Sequence, residues 1–311
     1  MNTSDKIFVA GHRGLAGSAI VRALQKAGFK NLVLKTHEEL DLLDAKAVSD
    51  FFSKERPEYV FLAAAHVGGI AANNAYPADL IYENLVIETS VIHSAHEYKV
   101  KKLLFLGSSC MYPRLAEQPM KEESLLTGPL EPSNKPYAVA KIAGVVMCQS
   151  FNKQYGDNFI AVMPANLYGP NDDFDLQTSH VVAALIRKFH EAKQSGVADI
   201  TLWGTGAARR EFLHADDLGE AVLFLMNTYN DPAIINIGTG EDVTIKALAE
   251  TIQKIVGFTG EIRWDSEKPD GAPRKVVDVS KIHALGWRHA VALPEGLRDA
   301  YEWYRGNNSR R

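Results

Sequence analysis

The sequence predicts an α/β protein, a doubly wound parallel sheet joined to a smaller mixed α/β lobe. Three observations carry this. Short, continuously apolar runs alternate with longer amphipathic ones through the first half of the chain. Those runs lack a polar alternate face, as strands covered on both sides require. A glycine-rich turn links the first apolar run to the first amphipathic stretch.

Taken in order, Lys6–Ala10 (Lys-Ile-Phe-Val-Ala) reads as a buried strand, followed by the glycine turn and a helix over about Leu15–Ala27. Asn31–Thr36 is expected to form a second strand, Asp44–Lys54 a helix and Tyr59–Ala63 a third strand. A long helix is expected over Pro77–Tyr98 and a fourth strand over Lys102–Gly107. Pro136–Tyr155 reads as another helix, with proline in the first turn where a missing N–H has no consequence. Phe159–Met163 completes the series as a further strand. After Tyr168-Gly169-Pro170 the pattern loosens into polar loops, a short strand at Ile200–Trp203, and helices near Ser179–Ser195 and Thr244–Val256. The expected division is therefore 1–170 for the main sheet and 171–311 for the lobe. The apolar stretch 211–240 is expected to return to the sheet.

Composition narrows the function classes. The chain has 311 residues, 46% of them hydrophobic, enough for a substantial core and against global disorder. A formal charge of −4 argues against a general nucleic-acid binder. Only two cysteines are present, and Met1-Asn2-Thr3-Ser4-Asp5 carries no signal-peptide pattern, so a reducing, cytoplasmic setting is expected. No apolar run approaches a membrane span, and no metal-ligand spacing stands out.

The turn itself reads Gly11-His12-Arg13-Gly14-Leu15-Ala16-Gly17. Glycines at this spacing let backbone approach a pyrophosphate, and the helix N-terminus behind them offers N–H groups to the anion. A bare strand-to-helix turn would use the same glycines. The flanking strand and helix favour a dinucleotide, hence a Rossmann-type sheet. An NAD form usually carries an acidic residue after the second strand. Here that stretch is Leu34-Lys35-Thr36-His37, with no carboxylate at the strand end, while Arg13 reaches the same region. A 2′-phosphate would favour such cations, so NADP(H) is the expected cofactor. Asp41 is expected near the adenine.

Tyr137 and Lys141, in Tyr-Ala-Val-Ala-Lys, share one helix face at i and i+4. An ammonium there can favour a phenolate, so Lys141 is expected to lower the pKa of Tyr137. Alone, such a pair is weak, because ordinary helices carry it by chance. Ser108 lies just past the fourth strand, where parallel strands meet a ligand crevice; a simple cap would explain it equally. Cys110 lies two residues further, and a thiol near its usual range needs only a modest positive field to become a thiolate.

With these residues stand Ala63-Ala64-Ala65-His66-Val67-Gly68-Gly69-Ile70, Ser108-Ser109-Cys110-Met111-Tyr112-Pro113, Asn166-Leu167-Tyr168-Gly169-Pro170, Arg210-Glu211-Phe212-Leu213-His214 and Lys268-Pro269-Asp270-Gly271. The series resembles the extended short-chain dehydrogenase/reductase family over about residues 6 to 304. Within it, the likeness is to epimerase–reductases acting on GDP-4-keto-6-deoxy-D-mannose. The resemblance implies NADPH-dependent epimerisation at C3 and C5 and reduction at C4. Tyr137 and Ser108 would serve the C4 oxygen, and Lys141 the nicotinamide ribose. Cys110 would be the base that removes the C3 and C5 protons, and His180 the acid that returns them. It also implies cofactor contacts from the glycine turn, Leu106, Gly107, Ser108, Ser109, Lys141, Pro164, Ala165, Asn166, Leu167 and His180. The GDP-sugar would meet Lys188, Trp203, Arg210 and Asp270. A homodimer through Pro77–Tyr98 and Pro136–Tyr155 is the implied assembly. Cys148 reads as packing, and His214-Ala215-Asp216-Asp217 as a strand-to-helix cap with Asp216 or Asp217 at the helix start. Two positions depart from the family: His37 stands where an arginine often supports the 2′-phosphate, and Ala165 where a hydroxyl residue is common.

Two other enzymes of the same fold compete. A 4,6-dehydratase needs a carboxyl near the end of the fourth strand, and no Asp or Glu lies between Gly107 and Leu115. A 4-epimerase that keeps NAD bound fits poorly with the positive turn. A non-catalytic cofactor-sensing regulator would typically lose the tyrosine or the lysine, and both are present.

Overall fold

The computed structural model describes residues 1–268 and 270–308. The first half runs β1 (Ile7–Ala10), α1 (Leu15–Lys26), β2 (Leu32–Val33), α2 (Ala45–Glu55), β3 (Tyr59–Leu62), α3 (Ile70–Ala75), α4 (Pro77–Glu97) and β4 (Lys102–Leu106). Short 3-10 turns then lead to α5 (Lys135–Tyr155) and β5 (Phe159–Pro164). The second half runs β6 (Asn166–Tyr168), α6 (Val181–Ser195), β7 (Asp199–Trp203), β8 (Arg209–Arg210), β9 (Phe212–His214), α7 (Ala215–Thr228) and β10 (Ile235–Ile237). It finishes with β11 (Val243–Thr244), α8 (Ile245–Val256), β12 (Glu261–Asp265), β13 (Arg274–Lys275), α9 (Ser280–Ala284) and α10 (Leu293–Asn308).

Six strands form one sheet in the order β10-β5-β4-β3-β1-β2, with every neighbouring pair parallel. β1, β4 and β5 are buried along their whole length, which is why they read as unbroken apolar runs. This is the Rossmann-type architecture expected. The strand order reverses between β1 and β3, so a crevice opens beyond their carboxyl ends.

Apolar burial falls into two clusters. One gathers the six-stranded sheet with faces of α1, α2, α4, α5 and α7. The other gathers α6, α8 and α10 around Leu202, Phe212, Tyr168 and Phe174. β10 pairs with β5 in the main sheet, whereas β9 pairs with β6 in a separate ribbon. Among the described residues, no helix is long and apolar enough to cross a membrane.

Local chemistry explains where elements differ from expectation. β2 keeps only two residues because the chain turns at Thr36. There the Thr36 amide donates to the Glu39 carboxylate at 2.8 Å, and the Glu39 amide donates back to Thr36 Oγ1 at 3.3 Å. The Glu39 carboxylate stands past the Leu34–His37 stretch, and the turn engages it. The cap of α7 is also different. His214 Nδ1 accepts the Asp216 amide at 3.3 Å, so the imidazole takes the role expected of an aspartate. Asp216 instead pairs with Arg22 of α1 at 2.6 Å, and Asp217 accepts the amides of Ala290 and Val291 at 2.9 and 3.0 Å. The other end of α7 is closed by Lys102, a buried lysine at the start of β4. Its ammonium donates to the carbonyls of Leu225, Met226 and Tyr229 at 3.2, 2.8 and 2.5 Å, satisfying acceptors that a helix end leaves open.

Candidate active site

The glycine turn closes tightly on the sheet. Gly11 has φ 82°, and a Cβ there would stand 2.7 Å from Ala64 N. A Cβ at Gly17 would collide with the Gly11 carbonyl, so α1 reaches the strand ends only because both side chains are missing. The Gly14 amide donates to the Gly11 carbonyl at 3.0 Å, and Gly14 is the N-cap of α1. The result is a concave run of backbone at a helix N-terminus, a form suited to a pyrophosphate. Leu15 and Ala16 are half-buried in the first turn of α1. Arg13 projects from the turn as an exposed side chain, and its charge acts on Glu38 and Glu39, as Lys35 acts on Glu39. Arg13 and Lys35 thus share one region, where a phosphate would compete with these carboxylates. His12 lies between them. Burial makes its imidazole less basic, and the Arg13 charge adds to that.

The rim of the next strands carries the residues expected to react. β4 ends at Leu106, and the Gly107 amide donates to Val162 O at 2.8 Å, binding that exit to β5. Ser108 Oγ accepts the Cys110 amide at 3.2 Å, so it caps the turn Ser109–Met111, and Ser109 is buried within it. The same hydroxyl lies close enough to the Tyr137 phenol to favour its ionised form. The capping role weighed for Ser108 is thus present. Cys110 is a free, half-buried thiol whose charge would act on both Tyr137 and Arg210. The fold thereby gathers Ser108, Cys110, Tyr137, Lys141 and Arg210 around one crevice.

The expected lowering of Tyr137 by Lys141 is not what the geometry produces. Burial pushes the phenol up, Cys110 and Glu88 add to this, and the nearby Ser108 hydroxyl opposes it. The Lys141 ammonium lies 5.9 Å from the Tyr137 ring centroid and pairs instead with Glu88, at 3.1 Å. Tyr137 is thus held as a phenol, a state that suits a proton donor. Cys148, fully buried further along α5, is raised by the same desolvation and belongs to the packing.

On the β5 side, Pro164 ends the strand, and the Ala165 amide donates to Ile237 O at 2.8 Å. Asn166 Nδ2 donates to the Glu211 carbonyl at 2.8 Å, and Leu167 is half-buried beside it. His180 is the N-cap residue of α6, yet its side chain makes no capping hydrogen bond. The residue is exposed, the protein packed around its ring lowers its basicity by desolvation, and the Asp173 carboxylate pulls the other way. The loop before it is anchored from across the sheet, because the Gly69 amide donates to Thr178 O at 2.8 Å.

The proposed nucleotide contacts come from the second half. Trp203, 60% exposed at the end of β7, has the ammonium groups of Lys188 and Lys268 at 6.0 and 5.8 Å from its ring centroid. Arg210 donates to the Arg209 and Asp270 carbonyls at 2.8 and 3.4 Å. The Asp270 carboxylate is taken by Thr205, through its amide at 2.8 Å and its hydroxyl at 2.7 Å. In this arrangement Asp270 organises the β7–β8 turn and backs Arg210. Pro269 of the same motif lies outside the described residues.

Two buried carboxylates escaped the sequence reading. Glu88, on α4, is the partner of Lys141. Glu211 alternates with Arg210 along the chain and faces inward, where it accepts the amides of Thr239, Gly240 and Val277 at 2.6, 2.7 and 2.8 Å. The available signal for Glu211 was its place directly before the apolar β9; Glu88 stands among buried apolar residues of α4.

These features define a nucleotide-dependent short-chain enzyme site, and the comparisons agree. The family described as NAD dependent epimerase/dehydratase matches residues 7–238, and the chain belongs to it. Within that family, it is 58% identical to GDP-L-fucose synthase 1 of Arabidopsis thaliana, over 98% of this chain and 94% of the relative. It is 52% identical to the GDP-L-fucose synthase of Escherichia coli (strain K12), over 99% of each. Among solved structures, a GDP-mannoheptose C4 reductase from Campylobacter jejuni with NADP bound is 45% identical, with a TM-score of 0.90 over 98% of this chain and 99% of that one.

Proposed function

We propose that the chain is an NADPH-dependent enzyme that epimerises GDP-4-keto-6-deoxy-D-mannose at C3 and C5 and reduces it at C4, yielding GDP-L-fucose. The observation that carries this reading is the convergence of Cys110 with the Ser108–Tyr137 pair on one strand rim. A plain reductase needs the phenol; a thiol beside it adds a proton acceptor for carbons flanking the carbonyl.

The 4-ketone acidifies the hydrogens at C3 and C5. Cys110 removes each proton, while Tyr137 and Ser108 hydrogen-bond the oxygen that gathers charge. His180 returns the protons from the other face, which inverts both centres. Its reduced basicity makes it a ready donor once protonated. Bound NADPH supplies the hydride for C4. Tyr137, kept protonated by burial, then gives its proton to the C4 oxygen. Gly11 to Gly17 hold the pyrophosphate, Arg13 and Lys35 the 2′-phosphate, and Lys141 the nicotinamide ribose. Leu106, Gly107, Ser109, Pro164, Ala165, Asn166 and Leu167 frame the nicotinamide end. Lys188 and Arg210 take the GDP diphosphate, Trp203 offers a flat face, and Asp270 supports Arg210.

We further propose that the two apolar clusters divide the work, the sheet side binding cofactor and the α6/α8/α10 side binding the nucleotide sugar. A homodimer through α4 and α5 fits the exposed Tyr82, Val139, Val146 and Tyr155 on those helices. A compartment that keeps Cys110 reduced is required.

The test is to incubate protein, NADPH and the 4-keto sugar nucleotide in heavy water and analyse the product by mass spectrometry. Deuterium at C3 and C5 together with NADPH oxidation supports the reading. NADPH oxidation without deuterium entry would leave a C4 reductase, the second reading, which the likeness to the Campylobacter jejuni enzyme favours. Neither signal would discard both.

A further inference from the structure

Glu88 and Lys141 form, among the described residues, the one ion pair whose side chains are both almost wholly buried, at 1% and 2% exposure. Glu88 Oε1 lies 3.1 Å from the ammonium, and neither carboxylate oxygen has another hydrogen-bond donor. The pair is built into the helix contact. A Cβ at Gly144 would stand 2.8 Å from Glu88 Oε2 and would strike the Phe105 ring, so α5 closes on α4 only because residue 144 has no side chain. The Phe105 ring centroid lies 4.6 Å from the ammonium and fences it on a second side.

Burying two charges is unfavourable by itself, and a well-packed apolar pair would serve a helix contact at least as well. Lys141 is needed for the cofactor, under the reading above. Among the described residues, Lys141 is the one group that pairs with Glu88. We propose that Glu88 is a positioning residue: it fixes the Lys141 ammonium in the second turn of α5, so that the remaining N–H donors meet the nicotinamide ribose hydroxyls. This rests on the proposed function only through the role given to Lys141.

The titratable groups that face Glu88 are Lys141, Tyr137 and Cys148 of α5, with Cys110 beyond Tyr137. Among the described residues, none from α2, α3 or β3 acts on it. Without the carboxylate, the Lys141 ammonium loses the partner that fixes it, and the Tyr137 phenol, which Glu88 helps push up, feels less negative charge. The phenol then ionises more readily, which moves the alkaline limb of activity to lower pH.

Glu88→Gln keeps the shape and removes the charge; Glu88→Asp keeps the charge and shortens the reach. NADPH affinity is read by fluorescence titration across pH, with kcat and KM measured on the sugar nucleotide and folding checked by circular dichroism. Glu88→Gln is expected to weaken NADPH binding about tenfold and to move the alkaline limb down by about one pH unit. Glu88→Asp should hold the alkaline limb at the wild-type position while kcat falls. A folded Glu88→Gln protein with wild-type affinity and pH profile overturns the proposal. If Glu88→Gln does not fold, Glu88→Asp decides: wild-type kcat and KM would overturn it, and a lower kcat with an unmoved limb would support it. Wild-type protein inactive on the sugar nucleotide would sink the functional reading, yet the NADPH titration would still test Glu88.

Discussion

Replacing Glu211 by glutamine tests whether the substrate side of the crevice depends on a buried carboxylate clamp. Glu211 is 1% exposed. Its Oε1 accepts the amides of Thr239 and Gly240 at 2.6 and 2.7 Å and the Thr239 hydroxyl at 3.3 Å, while Oε2 accepts the Val277 amide at 2.8 Å. One carboxylate thus joins the β8–β9 junction, the turn after β10 and the segment after β13. A glutamine has one acceptor oxygen. If that oxygen stays with Thr239 and Gly240, the side-chain NH2 group faces the Val277 N–H, two donors with nothing to share. The lost charge-assisted bond and the stranded amide each carry about 1–3 kcal/mol. Relief of burial offsets part, since desolvation pushes the Glu211 carboxyl up against the pull of its donors. The net destabilisation comes to about 3 kcal/mol, a fall in Tm of about 5 °C or more. Thermal unfolding of both proteins at pH 7 measures it. The neighbouring Arg210 should then hold the nucleotide sugar less well, raising KM more than it lowers kcat. A glutamine variant melting within a degree of wild type, with unchanged KM, would refute the clamp.

Three further outcomes are expected. Tyr137→Phe removes the proton donor to the C4 oxygen and should lower turnover by about a hundredfold or more with NADPH binding retained; steady-state rates and a fluorescence titration check both halves. Cys110→Ser should slow deuterium entry at C3 and C5 by at least about a hundredfold while leaving NADPH affinity near wild type, as mass spectrometry in heavy water would report. Lys102 makes stability depend on pH with a definite sign. Burial lowers it from 10.5 to about 8, so across that window the unfolded chain binds more protons than the native protein. Stability contributed by this residue therefore rises with pH from about 8 to 10.5, and urea unfolding should show that rise in wild type and its loss in Lys102→Met.

The sheet was legible because its strands are buried on both faces and so carry no polar interruptions. β1, β4 and β5 appear where the apolar runs stand. The second strand was overestimated because the Thr36–Glu39 turn is made by side chains meeting backbone at short range, a signal that a run of Leu-Val-Leu masks. The aspartates after His214 look like caps in sequence. They are drawn off by Arg22 and by the chain at Ala290–Val291, partners far along the chain that no local pattern announces.

The same limit governs the site. Tyr137, Lys141, Ser108 and Cys110 stand out because each sits at a fixed offset from an element end, and those offsets survive in the sequence. What sets their protonation comes from elsewhere. Read from α5 alone, Lys141 looks like the tuner of Tyr137. With α4 in place, Glu88 takes the ammonium, burial keeps the phenol protonated, and the Ser108 hydroxyl opposes that. The chemistry then changes in kind. A tyrosine held as phenolate would be a base waiting for a proton, whereas this one is an acid ready to give one to a C4 alkoxide. Under the proposed function, removal of the sugar's carbon-bound protons then needs a different group on the same rim, and Cys110 is the residue we propose for it.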